Sequence, residues 1–340
     1  MGSDAVFRRM VRIALVSAAL GLLWVGGSTT HASQATPPAA ASGSELDVIQ
    51  VRPDFYMLAG AGANVAVQIG PDGTVVVDTG AAARAEEIIA AIKKLTSQPI
   101  RYIINTGAGA DHVGGNAKVA QAGRTIFVVG NALATAMTNN GGASILANEN
   151  VLRRMSAPTG EVSPYPSAAW PTETFETGRK YMYMNREGIE VLHQPGAHSD
   201  ADSFVVFRRS DVVVAGDVLD TRRFPTIDLV RGGSVQGEIA ALNRLVALAI
   251  PSIPLVWQEG GTYVIPGHGR LSDQTDVVEY RDMVTIVRDR VQAMVRTGMT
   301  LAQVQAARPA QGYTSRYGSE SSSAAATFVE AVYVSLTTKR

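Results

Sequence analysis

Five segments of this 340-residue chain bring an aspartate or a histidine to a glycine-rich turn at the end of an apolar run. They are TVVVDTG (74–80), IINTGAGADHVGGN (103–116), GIEVLHQPGAHSDADS (188–203), VVVAGD (212–217) and VIPGHGR (264–270). Runs rich in Val and Ile that stop at such turns read as buried strands. RAEEIIAAIKKL (84–95) and EIAALNRLVAL (238–248) instead space their apolar residues at a helical period. A strand-rich start followed by strand–helix alternation predicts an α/β fold in which sheet is covered by helices. The pattern comes twice, with a first run ending near Gly130 and a second near Gly269.

Between these runs, TIFVVG (125–130) reads as a strand. Residues 131–155 read as a helical or lid-like stretch broken by NNGG (139–142), and Pro164, Pro166 and Pro171 mark an irregular segment. The tail differs. Tyr280, Met283, Val287, Val291, Met294 and Val295 form one apolar stripe, and Gly298 ends that helix. Thr300 with Gln303 predicts a capping box for the next helix. The tail helices carry no candidate ligand, so they are expected to pack on the sheet body or to build a homodimer contact.

Charge is balanced, with 30 Lys+Arg against 30 Asp+Glu. Such a chain lacks the basic surplus of a nucleic-acid binder. Cysteine is absent, which excludes disulfides, thiolate ligands and a cysteine nucleophile. Arg8, Arg9 and Arg12 precede a 13-residue apolar stretch, IALVSAALGLLWV (13–25), with small residues following. That stretch is short for a membrane span and fits a signal peptide over residues 1–32, cleaved after Ala32. The expected location is therefore periplasmic or secreted, with no stable membrane anchor after cleavage. Residues 33–45 read as a flexible linker. Cleavage would remove three Arg and one Asp, leaving 27 basic against 29 acidic residues and four histidines.

Of those four, His112, His198 and His268 lie in loops that follow apolar strands, and Asp217 ends its strand in the same way. Imidazole and carboxylate are the ordinary protein ligands of zinc when thiolate is missing. Ligands at several strand ends can converge on one point. His193 lies inside a strand and reads as a structural residue or as a support behind a ligand. Arg222 and Arg223, just beyond the Asp217 loop, could meet an anionic substrate but read more simply as a solvated surface pair.

In order and spacing, the five segments resemble the motifs of the metallo-β-lactamase fold superfamily. Residues 46–275 carry the resemblance, and 276–340 are similar to the C-terminal helical extension of exported bacterial members. The resemblance implies a four-layer αβ/βα sandwich with a metal site at one edge between the sheets. Where the family signature reads H-x-H-x-D-H, this chain has Gly107-Ala108-Gly109-Ala110-Asp111-His112. Asp111, His112 and His268 match the ligands of the second metal position, and Asp217 the carboxylate shared by both positions. His198 matches the third histidine of the first position, whose other two ligands are here glycine. Asp78 matches a carboxylate that steadies the loop, and Asn148 stands where related exported proteins often carry a histidine.

The resemblance implies a hydrolase that uses one metal-activated water on an ester, lactone, lactam or phosphoester bond of a small molecule. Asp111 or His198 would orient that water or take its proton. Zinc is the expected ion, and iron or manganese also suit an Asp/His donor set. The alternative is a degenerate binding or regulatory protein on the same scaffold. A buried Asp–Asp–His cluster is costly without a cation, which favours retained metal.

Overall fold

Strand residues alternate strictly between two different cores, and this sets the layering. In the strand Gly73–Val77, Val75 and Val77 face one core and Val76 the opposite one. Tyr102 and Ile104 likewise oppose Ile103, and Val212 and Val214 oppose Val213. A period of two buries both faces of a strand only where each sheet is covered on both sides.

The computed structural model describes residues 46–125, 141–158, 160–176, 178–252, 260–318 and 323–338. The expected leader and linker, and the expected strand 125–130 apart from Thr125, lie outside the described residues. Seven strands form the first sheet: β1 (Asp47–Arg52), β2 (Phe55–Ala59), β3 (Val65–Gly70), β4 (Gly73–Val77), β5 (Ile100–Ile104), β6 (Ser144–Asn148) and β7 (Glu173–Phe175). They lie side by side in chain order, antiparallel through β4 and parallel from β4 to β7. The second sheet runs β12 (Tyr263–His268), β11 (Val212–Asp220), β10 (Ser203–Phe207), β9 (Glu187–His193), β8 (Arg179–Met184). Only β11 and β12 are parallel there.

Between the sheets lies an apolar layer with Phe55, Met57, Ile104, Leu146, Val205, Phe207 and Ile265. Phe55 and Phe207 meet edge to face across it, centroids 4.8 Å apart. Helices α1 (Ala85–Leu95), α2 (Ala110–Val113) and α3 (Asn116–Gln121) follow β4 and β5. The outer face of the first sheet is covered by α1 and α3, through Ile88, Ile92 and Val119. After β6 comes α4 (Glu149–Met155). The outer face of the second sheet is covered by α5 (Val235–Leu248), α6 (Gln274–Arg296) and α9 (Ala324–Thr337), with α7 (Leu301–Ala306) and α8 (Thr314–Tyr317) between the last two. The result is a four-layer α/β sandwich with its C-terminal helices inside the outer core. Among the described residues no helix is long and apolar enough to cross a membrane.

The tail joins the body through one core: Phe328 of α9 stacks on Phe224 at 5.5 Å, and Tyr280 and Val287 of α6 are fully buried beside it. The Thr300–Gln303 capping box is formed, and Gly298, at φ 82°, ends α6. Two sequence expectations change. The stretch expected to be helical or lid-like over 131–155 contains strand β6 before α4, so the first sheet continues past Gly130 to Phe175. SILAN is a buried central strand, whose short apolar run carries no period of its own. The segment RKYMYM, unassigned from sequence, is edge strand β8.

Candidate metal centre

The first sheet supplies Asp78, Asp111 and His112 from the ends of the neighbouring strands β4 and β5. Asp78 follows β4 in a left-handed conformation, φ 60°. It accepts hydrogen bonds from the Thr106 backbone N–H at 2.9 Å and from Thr106 Oγ1 at 2.6 Å, and its Oδ2 lies 2.8 Å from His112 Nδ1. This anchors the loop after β5. The His112 backbone then opens α2 by donating to Gly109 O, and its carbonyl receives Thr79 N–H at 2.7 Å. His112 is wholly buried. With Nδ1 held by a carboxylate, Nε2 becomes the nitrogen that points onward, the usual support for a metal-ligating imidazole.

Asp217 and His268 come from the second sheet. A bulge in β11 between Val214 and Gly216 shifts the register against β12. Gly216 takes φ +56°, and a Cβ there would sit 2.7 Å from Thr106 Oγ1. The bulge re-aims the next side chain. As a result Asp217 Oδ1 lies 3.0 Å from His112 Nε2 and 3.5 Å from His268 Nε2, and Oδ2 lies 3.7 Å from His198 Nδ1. His268 Nε2 is also 3.1 Å from Asp111 Oδ2. Asn64 holds the β12 end in place by donating to Pro266 O and Gly269 O.

Asp111, His112 and His268 each offer a ligand atom within 4.8 Å of the others. Donors in a tetrahedral site with metal–nitrogen bonds of 2.0–2.1 Å stand about 3.3 Å apart. The 3.0, 3.1 and 3.5 Å separations that link these three residues through Asp217 and Asp111 match that spacing. The residues present therefore fit a single divalent ion.

The electrostatics agree. Burial opposes charge on His112, yet Asp217 and Asp78 override it and raise its pKa well above the usual imidazole value. The His268 hydrogen bond outweighs burial at Asp111 and lowers that carboxyl's pKa. Asp217 is held well below its ordinary range despite burial, by His112 first and His268 and His198 behind it. Protons on imidazole thus balance carboxylates at the point where a cation would do the same.

His198 sits at the edge of this group. Its Nδ1 lies 3.4 Å from Asp202 Oδ1, closer than its 3.7 Å to Asp217. Burial disfavours its charge, but the Asp202 hydrogen bond and charge push its pKa up to about 9. The two glycines differ. A Cβ on Gly107 would meet only Asp202 Oδ1, at 3.7 Å, whereas one on Gly109 would come within 2.9 Å of Asp111 Oδ1. The Asp111 carboxylate, 42% exposed, thus borders the room that a side chain at 109 would take. His193 lies apart, its Nε2 2.8 Å from Asp200 O. Asn148 caps α4 through the Asn150 N–H and donates to Phe175 O, so it is a structural residue.

Sequence reasoning missed Asp202 and Glu238. The signal for Asp202 was its place four residues after His198, in a loop that turns back on itself. Ser199 Oγ donates to it at 3.1 Å. Glu238 lies in the first turn of α5, fully buried, and neither carboxyl oxygen has a hydrogen-bond partner among the described residues. Its helical period gave no sign of this. Burial first, then the charges of Asp202 and Asp217, raise its pKa well above 4.5. An acid raised in the folded state contributes its full stability below the unfolded value and loses it as pH rises through the folded one. Glu238→Gln is therefore expected to gain stability over the parent protein progressively above pH 4.5. Urea unfolding at pH 5 and pH 8 checks this, with a gap of about 1–3 kcal/mol at the higher pH. A gap independent of pH would contradict it.

The sequence matches the family model described as metallo-beta-lactamase superfamily over residues 59–255, more than half of the chain. It matches none of the curated proteins compared. Among solved structures it is similar to the stereoselective inverting sec-alkylsulfatase Pisa1 from Pseudomonas sp., at 16% identity and TM-score 0.60, covering 85% of this chain and 50% of that one. A double mutant of the sec-alkyl sulfatase PisA1 gives TM-score 0.61 at the same identity and coverage. The chain spans about half the length of these two sulfatases. A metallo-beta-lactamase from Pontibacter korlensis gives TM-score 0.50 at 16% identity, covering 71% of this chain and 99% of that one. At such identities the likeness is one of fold. The matched family model, together with a sandwich that gathers strand-end aspartates and histidines at one edge, makes this chain a member of the metallo-β-lactamase superfamily.

Proposed function

We propose that the protein is a hydrolase that uses one divalent ion, zinc first, held by Asp111, His112, His268 and Asp217. The observation that carries this is the donor spacing of 3.0–3.5 Å across two sheets, with His112 fixed from behind by Asp78. Iron or manganese fits the same nitrogen and oxygen donors. An ion bound there supplies Lewis acidity and lowers the pKa of water.

The chain's own groups divide the remaining work. Asp111, ionised and facing the cavity, orients the attacking water and accepts its proton. His198, whose Nδ1 faces Asp202, gives a proton to the leaving group and regains one as Asp111 releases the proton taken from water. This assigns acid work to His198, where sequence alone left it open between orienting water and taking its proton. The cavity beside these groups, about 170 Å³, is lined by Asp111, His198, Asp217, Asp220, Arg223, Thr226 and His268. It admits the reacting part of a small ester, lactone, lactam or phosphoester.

The expected outcome is hydrolysis that stops on chelation and returns with zinc. Asp111→Asn and His268→Ala should lose the ion together with turnover. His198→Gln should keep the ion and lower kcat by about 100-fold. Metal analysis and steady-state rates on an ester, lactone, lactam and phosphoester panel check the set. The second reading, a binding protein, draws on the bare glycines at 107 and 109; no zinc uptake and no turnover on the panel would establish it in place of the first.

We also infer export, from the Arg-led apolar stretch and the small residues after it. Periplasmic material should begin between Ser33 and Thr36 by N-terminal sequencing, and an intact Met1 there would refute cleavage.

A further inference from the structure

A second hollow lies outside the metal centre, where edge strand β8 and the end of β9 meet helix α5. Gly178, Arg179, His193, Pro195 and Arg244 line it, around a volume of about 440 Å³. None of these residues lines the cavity of Asp111, His198, Asp217 and His268. Strand register explains the meeting. Arg179 opens β8 opposite Leu192 of β9, and Leu192 belongs to the core beneath α5. Directly opposed residues share a face of the sheet. Arg179 therefore stands on the side from which Arg244 of α5 approaches. The His193 N–H donates to Gly178 O at 3.0 Å and closes the strand pair beside them.

The polar side chains of this hollow are of one sign. The lining holds two guanidinium groups and an imidazole, and no carboxylate. Arg244 Nη1 donates to His193 O at 3.2 Å. That carbonyl is neutral, and no carboxylate pairs with Arg244 among the described residues. One of its five donors is used, and its charge is unmatched. His193 Nε2 lies 2.8 Å from Asp200 O. A carbonyl only accepts, so Nε2 carries the hydrogen and Nδ1 is the ring nitrogen left for a ligand. Bonds at Nε2 and at the carbonyl fix His193 before anything binds.

We propose that this hollow binds the phosphate group of a small phosphomonoester. The planar fork of Arg244 suits a phosphate edge, and Arg179 adds a cation on the same face. Nδ1 of His193 narrows the class to phosphate. A phosphomonoester has its second pKa at about 6, so near neutrality it shares a proton with the imidazole whichever group holds it. Sulfate stays unprotonated and leaves a neutral Nδ1 facing an oxygen with no hydrogen between them. Size points to an ester: 440 Å³ exceeds a lone phosphate and falls in the ordinary range for small-molecule sites.

The assignment is independent of the hydrolase reading. Calorimetric titration of the full chain with glycerol 3-phosphate, inorganic phosphate and sulfate tests it, with chelator present so that no phosphoester is turned over. Glycerol 3-phosphate is expected to bind at least as tightly as inorganic phosphate, and sulfate more weakly. Arg244→Gln should weaken glycerol 3-phosphate about tenfold or more. Arg244→Lys, which keeps the charge without the fork, should lose less and serves if the glutamine variant does not fold. His193→Ala should bring phosphate and sulfate affinities together, which a purely structural role would not do. No binding in the millimolar range, or binding unchanged in folded Arg244 variants, overturns the site. Sulfate bound as tightly as phosphate, or inorganic phosphate bound without the ester, overturns the ligand class. Binding lost in His268→Ala but kept in Arg244→Gln would place the anion at the metal centre and overturn the assignment as well.

Discussion

Asp217 is the carboxylate on which the open end of the sandwich depends. It projects from the second sheet and lies within 3.7 Å of three imidazoles, one of which, His112, is carried by the first sheet. Placing it there takes a glycine with positive φ and a bulge in β11, backbone conformations that other side chains resist. Around it stand the half-exposed Asp111 and the buried Asp78, so carboxylates and imidazoles are crowded together. Such a cluster holds together only if positive charge is supplied, by protons on the histidines or by a metal ion. The 3.0–3.5 Å spacing of the donors suits either source.

That requirement explains the supports behind the site. Asp78 fixes the tautomer of His112 and, through Thr106, the start of the loop that carries it. Ser203 N–H reaches Thr106 O at 2.8 Å, so the same loop is pinned to the second sheet. Asn64 clamps the end of β12. The four layers beneath are ordinary apolar packing, and they act as the frame that brings strand ends from two sheets within a few ångströms of one another.

The sheets and the converging ends were legible because buried strands with period-two faces stop at glycine turns, and the chemistry-bearing residues sit at those stops. Three parts of the chain were not. Strand β6 is a five-residue segment with three apolar residues, too short to show a period, and its parallel pairing to β5 and β7 makes it a strand. Glu238 lies on a helix whose pattern reads as amphipathic, and its burial comes from the loop of His198 packing on the first turn of α5. There a Cβ on Gly237 would collide with Gly196 O. Asp202 needed a tertiary neighbour, His198, before it could be distinguished from a surface polar residue. The glycines of the signature loop were legible as absences, but not their difference: Gly107 faces open room, whereas Gly109 borders the Asp111 carboxylate.

The central proposal is that Asp111, His112, His268 and Asp217 hold one cation. Equilibrium dialysis of the purified protein against zinc, read by elemental analysis, addresses it directly. The account predicts one ion per chain, removed by chelation and absent from His268→Ala. Two tightly held ions, or one ion that survives loss of both Asp111 and His268, would contradict it.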